Sequence, residues 1–419
     1  MNPQPIEAIP KWQYLEKILI ETAEQLMFQQ IRPPFLEFLQ LFKRTAGEST
    51  DVVQKELYVF PDRNGDDLCL RPEGTAGCAR LAHELGYLRK SSQKFWYLGP
   101  FFRHERPQKG RYRQFHQFGI EVYGYNEPYI DIECLILMQK ISKRLGISNK
   151  ITLEINYLAD SNTRSLYSKE LIKFLTPHKS KMHSNDILRL EKNPLRILDS
   201  KEPSTQDLLQ NAPKLDQFFS SEQRATYDQI QTMLKSLNIT FKHNAHLVRG
   251  LDYYSGLVFE WKPVAAAGSQ DTICAGGRYD SLFTQLGQQP LPATGFAIGI
   301  ERLINILDIE TPPSTPDIYW ISFDGNSLIK TIEIMNNLLD TFPQLKMEVN
   351  YQLGSLKNQF KHANKSQAHW AIIIGEEELD EATGGASSGA FVGPLSGKPI
   401  KRTVYTTDVP VSGAGGMTK

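Results

Sequence analysis

The sequence lacks the features that mark a membrane-spanning, secreted or disulfide-stabilised protein. No apolar run approaches the roughly 18 residues of a membrane span, and the N-terminus has neither the basic nor the apolar region of a secretory signal. The four cysteines, Cys69, Cys78, Cys134 and Cys274, are scattered without the spacing of metal ligands. We therefore expect reduced, mostly packed thiols in a cytoplasmic protein with no membrane partner.

The chain also lacks a net charge, because its 47 basic residues balance 47 acidic ones. This balance argues against indiscriminate coating of nucleic acid but is compatible with a local basic site. The segment RHERPQKGRYR, residues 103–113, carries five cations against one anion. Its proline and glycine fit a solvated hairpin turn. Arginines at both ends favour phosphate, because a guanidinium binds phosphate oxygens bidentately and keeps its charge.

The 419 residues suffice for two or three domains. Apolar spacing and turn residues predict the following elements in the first 150 residues: a helix over 12–31 that Pro33 and Pro34 end, a hairpin over 56–73 turning at 62–65, a helix over about 75–88, strands at KFWYLGPFF and RQFHQFGIEVYG, and a helix over about 129–145.

The rest of the chain changes character several times. Residues 160–236 are polar, lysine-rich and helix-like, which indicates a helical insertion in a domain formed by 1–159 and 237–310. A proline-rich linker, 311–316, precedes 317–380, where strand and helix patterns alternate as in a small α/β domain. The tail, 381–419, is rich in Gly, Ser and Thr, and we expect it to complete no strand–helix pair.

The strand RQFHQFGIEVYG predicts one apolar face and one polar face. His116, Phe118, Ile120 and Val122 share the face that suits a core, whereas Gln117, Gly119, Glu121 and Tyr123 share the other. Gln117 and Glu121 lie roughly 13 Å apart along the strand, with a bare glycine between them. A small cationic or amine-bearing ligand fits such a slot. An ordinary solvent-facing strand is the alternative, although a mid-strand glycine favours close approach of a ligand or backbone.

Three further segments carry candidate chemistry. In LRPEGTAG, Glu73 and Thr75 suit an ammonium group, or Thr75 simply caps a helix. LVRGLDYYSG combines Arg249 with paired tyrosines, which suit an aromatic ligand or pack on the core. GFAIGIERL places Arg302 on a helix, where a lone arginine is usually a surface residue. Together, carboxylates for an amine, tyrosines for a ring and arginines for phosphates suggest activation of an amino acid by a nucleotide.

Five segments resemble class II aminoacyl-tRNA synthetases. FRHERPQKGRYRQFHQFGIEVYG resembles their motif 2 and GFAIGIERL their motif 3, whereas LRPEGTAG, LVRGLDYYSGLVFEW and CAGGRYD resemble the histidine-specific segments of bacterial histidyl-tRNA synthetases. The resemblance runs from about Trp12 to about Asp380. It implies an α+β fold: a class II catalytic domain with an antiparallel sheet flanked by helices, a helical insertion and a C-terminal α/β anticodon-binding domain.

The same resemblance implies a histidine–tRNA ligase. The enzyme would activate L-histidine with ATP and Mg²⁺ and transfer it to the 3′ end of tRNA(His). For the histidine pocket it implies Glu73, Thr75 and Gln117 at the amino group, Glu121 and Tyr254 at the imidazole, and Tyr253 and Tyr279 along the slot. For ATP it implies Arg103 at the α-phosphate, Arg302 on the γ-phosphate side, Glu105 and Arg111 near adenine and phosphates, and Arg249, with Arg103, as a catalytic residue at the α-phosphate.

For tRNA the resemblance assigns Arg106, Gln108 and Lys109 to the acceptor end, the insertion to the acceptor arm and the C-terminal domain to the anticodon stem. It further implies a homodimer, and no metal ligands of the protein itself are predicted. Two departures stand out: an Arg-Gly-x-x-Asp-x-x-Pro segment that precedes the first helix in the family is missing, and the tail replaces a β-hairpin and closing helix. We therefore expect an incomplete anticodon domain.

Two non-catalytic alternatives share this fold. One is a paralogue such as the regulatory subunit of ATP phosphoribosyltransferase, and the other is an RNA-sensing module. The regulatory subunit typically loses the arginine of the RGLDYY segment and the anticodon domain. This sequence retains Arg249, Arg103 and Arg302 and most of the C-terminal domain, which favours the enzyme.

Overall fold

The structure is a computed structural model. It describes residues 4–47, 50, 52–89, 91–105, 110–264, 272–308 and 315–374 and the backbone of 391–394. The chain divides into two compact units, Met1–Glu310 and Thr311–Lys419. The first unit holds the predicted catalytic domain and helical insertion together, so the boundaries between them stay predictions. No helix within the described ranges is long and apolar enough to cross a membrane.

The first unit combines strands and helices throughout its length. Its strands are β1 (Gln29–Gln30), β2 (Leu36–Phe38), β3 (Val59–Pro61), β4 (Asp67–Leu70), β5 (Gln93–Phe102), β6 (Gln114–Tyr123), β7 (Ile151–Tyr157), β8 (Phe241–His243), β9 (Ser255–Pro263), β10 (Cys274–Arg278) and β11 (Ala293–Gly299). Its helices are α1 (Ile9–Gln25), α2 (Leu39–Ala46), α3 (Thr75–Glu84), α4 (Tyr129–Arg144), α5 (Ser161–Leu175), α6 (Ser184–Lys192), α7 (Pro203–Leu209), α8 (Ser221–Ser236), α9 (Leu282–Gln285) and α10 (Ile300–Ile304).

An eight-stranded sheet in the order β1-β5-β6-β11-β10-β9-β7-β8 forms the centre of this unit. Neighbouring strands from β5 to β7 in this order are antiparallel. At the two edges, β1 is parallel to β5 and β8 is parallel to β7. A separate sheet, β2-β4-β3, contains the predicted hairpin. Its turn is fixed by Asp62, whose Oδ1 accepts the N–H groups of Asn64 and Asp66 at 2.7 and 3.0 Å. The predicted α+β class is confirmed.

Helix α1 is shorter than the predicted helix over 12–31. It ends at Gln25 in a left-handed turn, where Met27 has φ of 63°. The N–H of Phe28 donates to the Ala23 carbonyl and that of Met27 to the Glu24 carbonyl, the bonds of a Schellman motif. A glycine usually signals this motif, so the methionine hid the helix end. Residues 29–30 then join β5.

Helix α3 also ends earlier than predicted. It stops at Glu84 rather than near Leu88, because Gly86 adopts φ of 72° before a short 3₁₀ turn over Tyr87–Arg89. The helix predicted over 129–145 is confirmed as α4. Between 160 and 236 the expected helices are present as α5 to α8, and Asp160 caps the first of them by accepting the Thr163 N–H at 2.8 Å.

The two faces of β6 divide as the alternation predicts. Phe118, Ile120 and Val122 are buried in the core that α1 and α4 form with the sheet. The ring of His116, on the same face, packs edge-on against Trp12 at 5.1 Å between centroids. The opposite face turns Gln117 towards the functional cleft.

The second unit alternates strand and helix as predicted. Its elements are β12 (Ile318–Ser322), α11 (Gly325–Thr341), β13 (Met347–Val349), α12 (Leu356–Ser366), β14 (Trp370–Ile374) and β15 (Phe391–Pro394). The sheet order is β13-β12-β14-β15, with β15 antiparallel to β14. Strand β15 lies in the tail, so the tail contributes a strand that the sequence analysis did not anticipate. The other residues of the tail lie outside the described ranges.

Candidate active site

A cleft of about 280 Å³ brings most of the predicted site residues together. Strands β5, β6, β10 and β11, the start of α3, the loop before β9 and helix α10 supply its walls. The predicted residues that line it are Glu73, Thr75, Arg103, Glu105, Arg111, Gln117, Arg249, Tyr253, Tyr254 and Arg302. Glu121 and Tyr279 lie buried behind this lining. Arg106, Gln108 and Lys109 fall outside the described residues.

Glu73 lines the cleft at the N-terminus of α3. Its two carboxylate oxygens accept the backbone N–H groups of Thr75 and Ala76 at 2.7 and 2.9 Å. Burial raises the pKa of Glu73, against those N–H groups and the charge of Arg103, which lower it. The carboxylate therefore lies where the helix favours negative charge, and its remaining lone pairs can accept from a cation.

Glu121 lies below Glu73 and is 1% exposed. The Thr75 hydroxyl donates to its Oε1 at 2.8 Å, and the Tyr279 hydroxyl donates to its Oε2. Burial raises the pKa of Glu121 to about 8 and the charge of Glu73 adds to the rise, whereas hydrogen bonding by Tyr279, Thr75 and Tyr97 opposes it. Two buried carboxylates this close ionise together only at a cost. A cation bound between them would remove that cost.

The slot between Gln117 and Glu121 is not bare, contrary to the sequence prediction. Tyr97 pairs directly across the strands with Gly119, and its ring covers that glycine. Added Cβ atoms at Gly119 and Gly74 would each lie 2.2 Å from the Tyr97 Cζ. Gly119 therefore makes room for a side chain of its own sheet, which is how an aromatic residue compensates for a strand glycine.

Tyr97 is the residue of this region that the sequence analysis missed. It lines the cleft and is 2% exposed. Its hydroxyl and the Oε1 of Gln117 are buried without a well-formed hydrogen bond to any described residue. Buried polar atoms normally find partners, so these two are candidates for contact with a bound molecule.

Arginines line the same cleft, and their side chains are held by the chain itself. Arg103 donates from Nε to the Pro72 carbonyl at 2.9 Å, and its guanidinium lies 5.3 Å from the ring of Phe115. Arg302 donates from Nε to the Gly110 carbonyl at 3.1 Å and from Nη1 to the Thr272 carbonyl at 2.8 Å. The end of the basic loop thus contacts the helix predicted to carry the second phosphate-binding arginine.

Glu105 and Arg111 face each other at the rim, where Nη1 of Arg111 lies 3.3 Å from Oε2 of Glu105. Arg103 lies 3.9 Å from the other oxygen of the same carboxylate. Glu105 therefore links the two arginines and fixes their spacing.

Arg249 forms an ion pair with Glu260 on β9, and its side chain is 18% exposed. Glu260 also accepts from the Thr272 hydroxyl at 3.2 Å and pairs with Lys262 at 3.0 Å. The Arg249 guanidinium lies 5.6 Å from the ring centre of Tyr254. The sequence analysis did not single out Glu260, because nothing in the sequence of β9 shows that this carboxylate faces Arg249.

Glu301 is a second carboxylate that the sequence analysis missed. It accepts the backbone N–H of His116 with both oxygens at 3.0 Å and lies 3.0 Å from the ring Nδ1 of the same residue. It thereby fixes α10, with its neighbour Arg302, against the end of β6. In the part of the chain that the structure describes, no three His, Cys, Asp or Glu side chains cluster as metal ligands.

The mostly antiparallel sheet, with arginines from the β5–β6 hairpin and from α10 in one cleft, agrees with the class II aminoacyl-tRNA synthetase that the sequence motifs imply. The family model described as histidyl-tRNA synthetase matches residues 5–303. The chain therefore belongs to the histidyl-tRNA synthetase family.

Individual relatives agree. The chain is 47% identical over 380 residues to the histidine–tRNA ligases of Francisella tularensis subsp. holarctica (strain OSU18) and subsp. novicida (strain U112), with 90% of each chain covered. Among solved structures, the histidyl-tRNA synthetase of S. aureus is 29% identical with a TM-score of 0.78, covering 97% of this chain and 95% of that one.

A Bacillus halodurans protein titled as an ATP phosphoribosyltransferase regulatory subunit/histidyl-tRNA synthetase is 21% identical with a TM-score of 0.62, covering 90% of this chain and 97% of that one. That likeness shows the fold alone. The named relatives therefore support the ligase over the regulatory-subunit alternative.

Proposed function

We propose that the chain is a histidine–tRNA ligase, which joins histidine to ATP as histidyl-adenylate with release of pyrophosphate and then transfers histidine to the 3′ end of tRNA(His). The observation that carries this proposal is the composition of one cleft. Glu73 lines this cleft with the buried Glu121 joined to it through Thr75, and Arg103, Arg249 and Arg302 line the same cleft. This arrangement suits a substrate that carries an ammonium group and a product in which a carboxylate is joined to a phosphate as a mixed anhydride.

The part of the cleft around Glu73 and Gln117 receives histidine. Glu73, Thr75 and Gln117 hold the ammonium group, and the unpaired oxygen of Gln117 supports that role. Glu121 and Tyr254 bind the imidazole, with Tyr253 and Tyr279 along the ring. Recognition by buried polar groups rejects analogues without the matching N–H, because those groups would then stay unpaired. The Tyr97 hydroxyl completes this pocket.

The arginines of the cleft receive ATP. Arg103 binds the α-phosphate and Arg302 the γ-phosphate side, while Glu105 and Arg111 contact adenine and the phosphates. The histidine carboxylate oxygen attacks the α-phosphorus, and the bond to the pyrophosphate oxygen breaks. Arg249 and Arg103 stabilise the negative charge that develops on the α-phosphate. Cations fixed before the reaction do this with little reorganisation.

Mg²⁺ bound with the nucleotide would neutralise phosphate charge, and the cationic residues of the cleft would complement it on the protein side. No protein ligands are assigned to it.

The proposal extends to the partners. The basic loop, with Arg106, Gln108 and Lys109, contacts the acceptor end of tRNA(His), where local positive charge supplies attraction that the net charge does not. The helices between 160 and 236 contact the acceptor arm, and the second unit binds the anticodon stem. The enzyme acts as a homodimer in the cytoplasm.

The test is histidine-dependent exchange of pyrophosphate with ATP, followed by charging of tRNA(His). We expect exchange with histidine and none with other amino acids. Folded protein that catalyses no exchange would refute the ligase. Exchange without charging would leave adenylation intact and contradict the assignment of the tRNA-binding regions.

A further inference from the structure

The loop that carries Arg249 is tied to the helices between 160 and 236. Asn193, at the end of α6, donates its amide N–H to Oδ1 of Asp252 at 2.9 Å. Nε of Arg196 lies 3.6 Å from the same oxygen. Arg196 also donates to the Gly250 carbonyl. Two side chains of the insertion therefore bind Gly250 and Asp252 of the RGLDYY segment.

The same loop is held from the opposite side. The backbone N–H of Asp252 donates to the Ala46 carbonyl at 3.3 Å. Gly47 has φ of 91°, and a Cβ there would lie 2.3 Å from Oδ2 of Asp252. No other residue type fits at Gly47 without moving the aspartate. Asp252 is thus clamped between the end of α2 and the insertion.

These contacts lie next to candidate site residues in the sequence. Gly250 directly follows Arg249, and Tyr253 and Tyr254 directly follow Asp252. The side chains of Arg196 and Asp252 are 18% and 30% exposed, so solvent screens their pairing less than at an open surface. If the insertion moved, its contact with Gly250 would also move the neighbouring residue Arg249.

We propose that Asn193 and Arg196 are positioning residues for adenylation, which hold the loop so that Arg249 faces the α-phosphate. The inference rests on the proposed ligase activity. It places a control point for the reaction in the helical insertion, outside the cleft. Neither residue contacts substrate, and each acts through the placement of Arg249.

The test uses Arg196→Ala in the full chain and histidine-dependent ATP–pyrophosphate exchange. We expect kcat to fall by about tenfold to a hundredfold, since a small misplacement of a catalytic group has such an effect. KM for histidine should change by less than about threefold, because Tyr254 keeps its own ring contacts with Tyr253 and Tyr279 at 4.7 and 5.9 Å.

A second measurement separates positioning from general stability. In an Arg249→Ala background, Arg196→Ala should cause no further loss of kcat, because the residue it positions is already gone. The control is Lys17→Ala, which removes an exposed ion pair with Glu21 at 3.8 Å on α1, outside the insertion, and should leave kcat unchanged.

Other outcomes would overturn the proposal. Unchanged kcat in Arg196→Ala, or losses that multiply independently of Arg249, would refute the positioning role. Should Arg196→Ala fail to fold, Asn193→Ala and Arg196→Lys decide the question, since the lysine keeps the charge but loses the fork that spans both acceptors. Absence of exchange in the unmodified protein would instead refute the ligase activity itself.

Discussion

Replacing Tyr97 by phenylalanine removes one hydroxyl from the cleft and leaves the packing intact. The ring is 2% exposed and fits between Gly74 and Gly119. The hydroxyl makes no well-formed hydrogen bond within the described residues, and Glu121, with which it interacts, keeps Thr75 and Tyr279 as donors after its removal. We therefore expect the free energy of unfolding to stay unchanged or to rise.

Substrate binding should respond in the opposite way. A hydrogen bond to a charged group contributes about 1.5–3 kcal/mol, which corresponds to an increase of roughly tenfold to a hundredfold in KM for histidine. The assay is ATP–pyrophosphate exchange at saturating ATP, together with denaturant unfolding of the same preparations. KM for ATP should not change, because Tyr97 lies beside Glu121 and Glu73 of the proposed histidine pocket.

Tyr123→Phe is the matched control for this prediction. Its hydroxyl is also buried without a well-formed hydrogen bond to a described residue, and it also lies near Glu121. Unlike Tyr97, it does not line the cleft. Equal increases of KM in the two variants, or a loss of stability that parallels the rise of KM in Tyr97→Phe, would refute the reasoning.

Three further predictions follow from the same site. Arg249→Ala should lower kcat for exchange at least about a hundredfold while histidine affinity, measured by calorimetry, stays largely intact; an equal loss of affinity would show that the residue is misassigned. Glu121→Ala should weaken histidine binding, and unchanged affinity in the same titration would contradict its role. The folded pKa of Glu121, about 8, exceeds its ordinary 4.5. The folded state thus holds the extra proton, and stability should fall as pH rises through that interval. Denaturant unfolding of Glu121→Gln should show a weaker fall, and identical pH profiles would contradict the shift.

Local periodicity predicted the elements that make the site. Alternation along RQFHQFGIEVYG was sufficient to put Phe118 in the core and Gln117 in the cleft, because strand side chains can only alternate. Turn chemistry predicted the hairpin that ends at β4. These features depend on neighbours in the sequence.

What the sequence did not show depends on partners far along the chain. Tyr97 covers Gly119 only because β5 and β6 pair in a register that places them opposite each other. Glu301 reaches His116 across 185 residues. Asp252 carries no local sign that Asn193 will bind it. Such contacts form only when the sheet and the insertion have folded together, so local patterns in a single sequence do not predict them.

The cleft arginines show how a chain without net charge can orient several cations in one cleft. Each is oriented by an acceptor of the chain itself: a carbonyl for Arg103, two carbonyls for Arg302 and the Glu260 carboxylate for Arg249. A carbonyl orients a guanidinium without cancelling its charge, and five N–H donors leave others for phosphate. Arg249 differs, because its partner is an anion that competes with phosphate. Lys262 and Thr272 also bind Glu260, so another cation already balances part of the charge of that carboxylate.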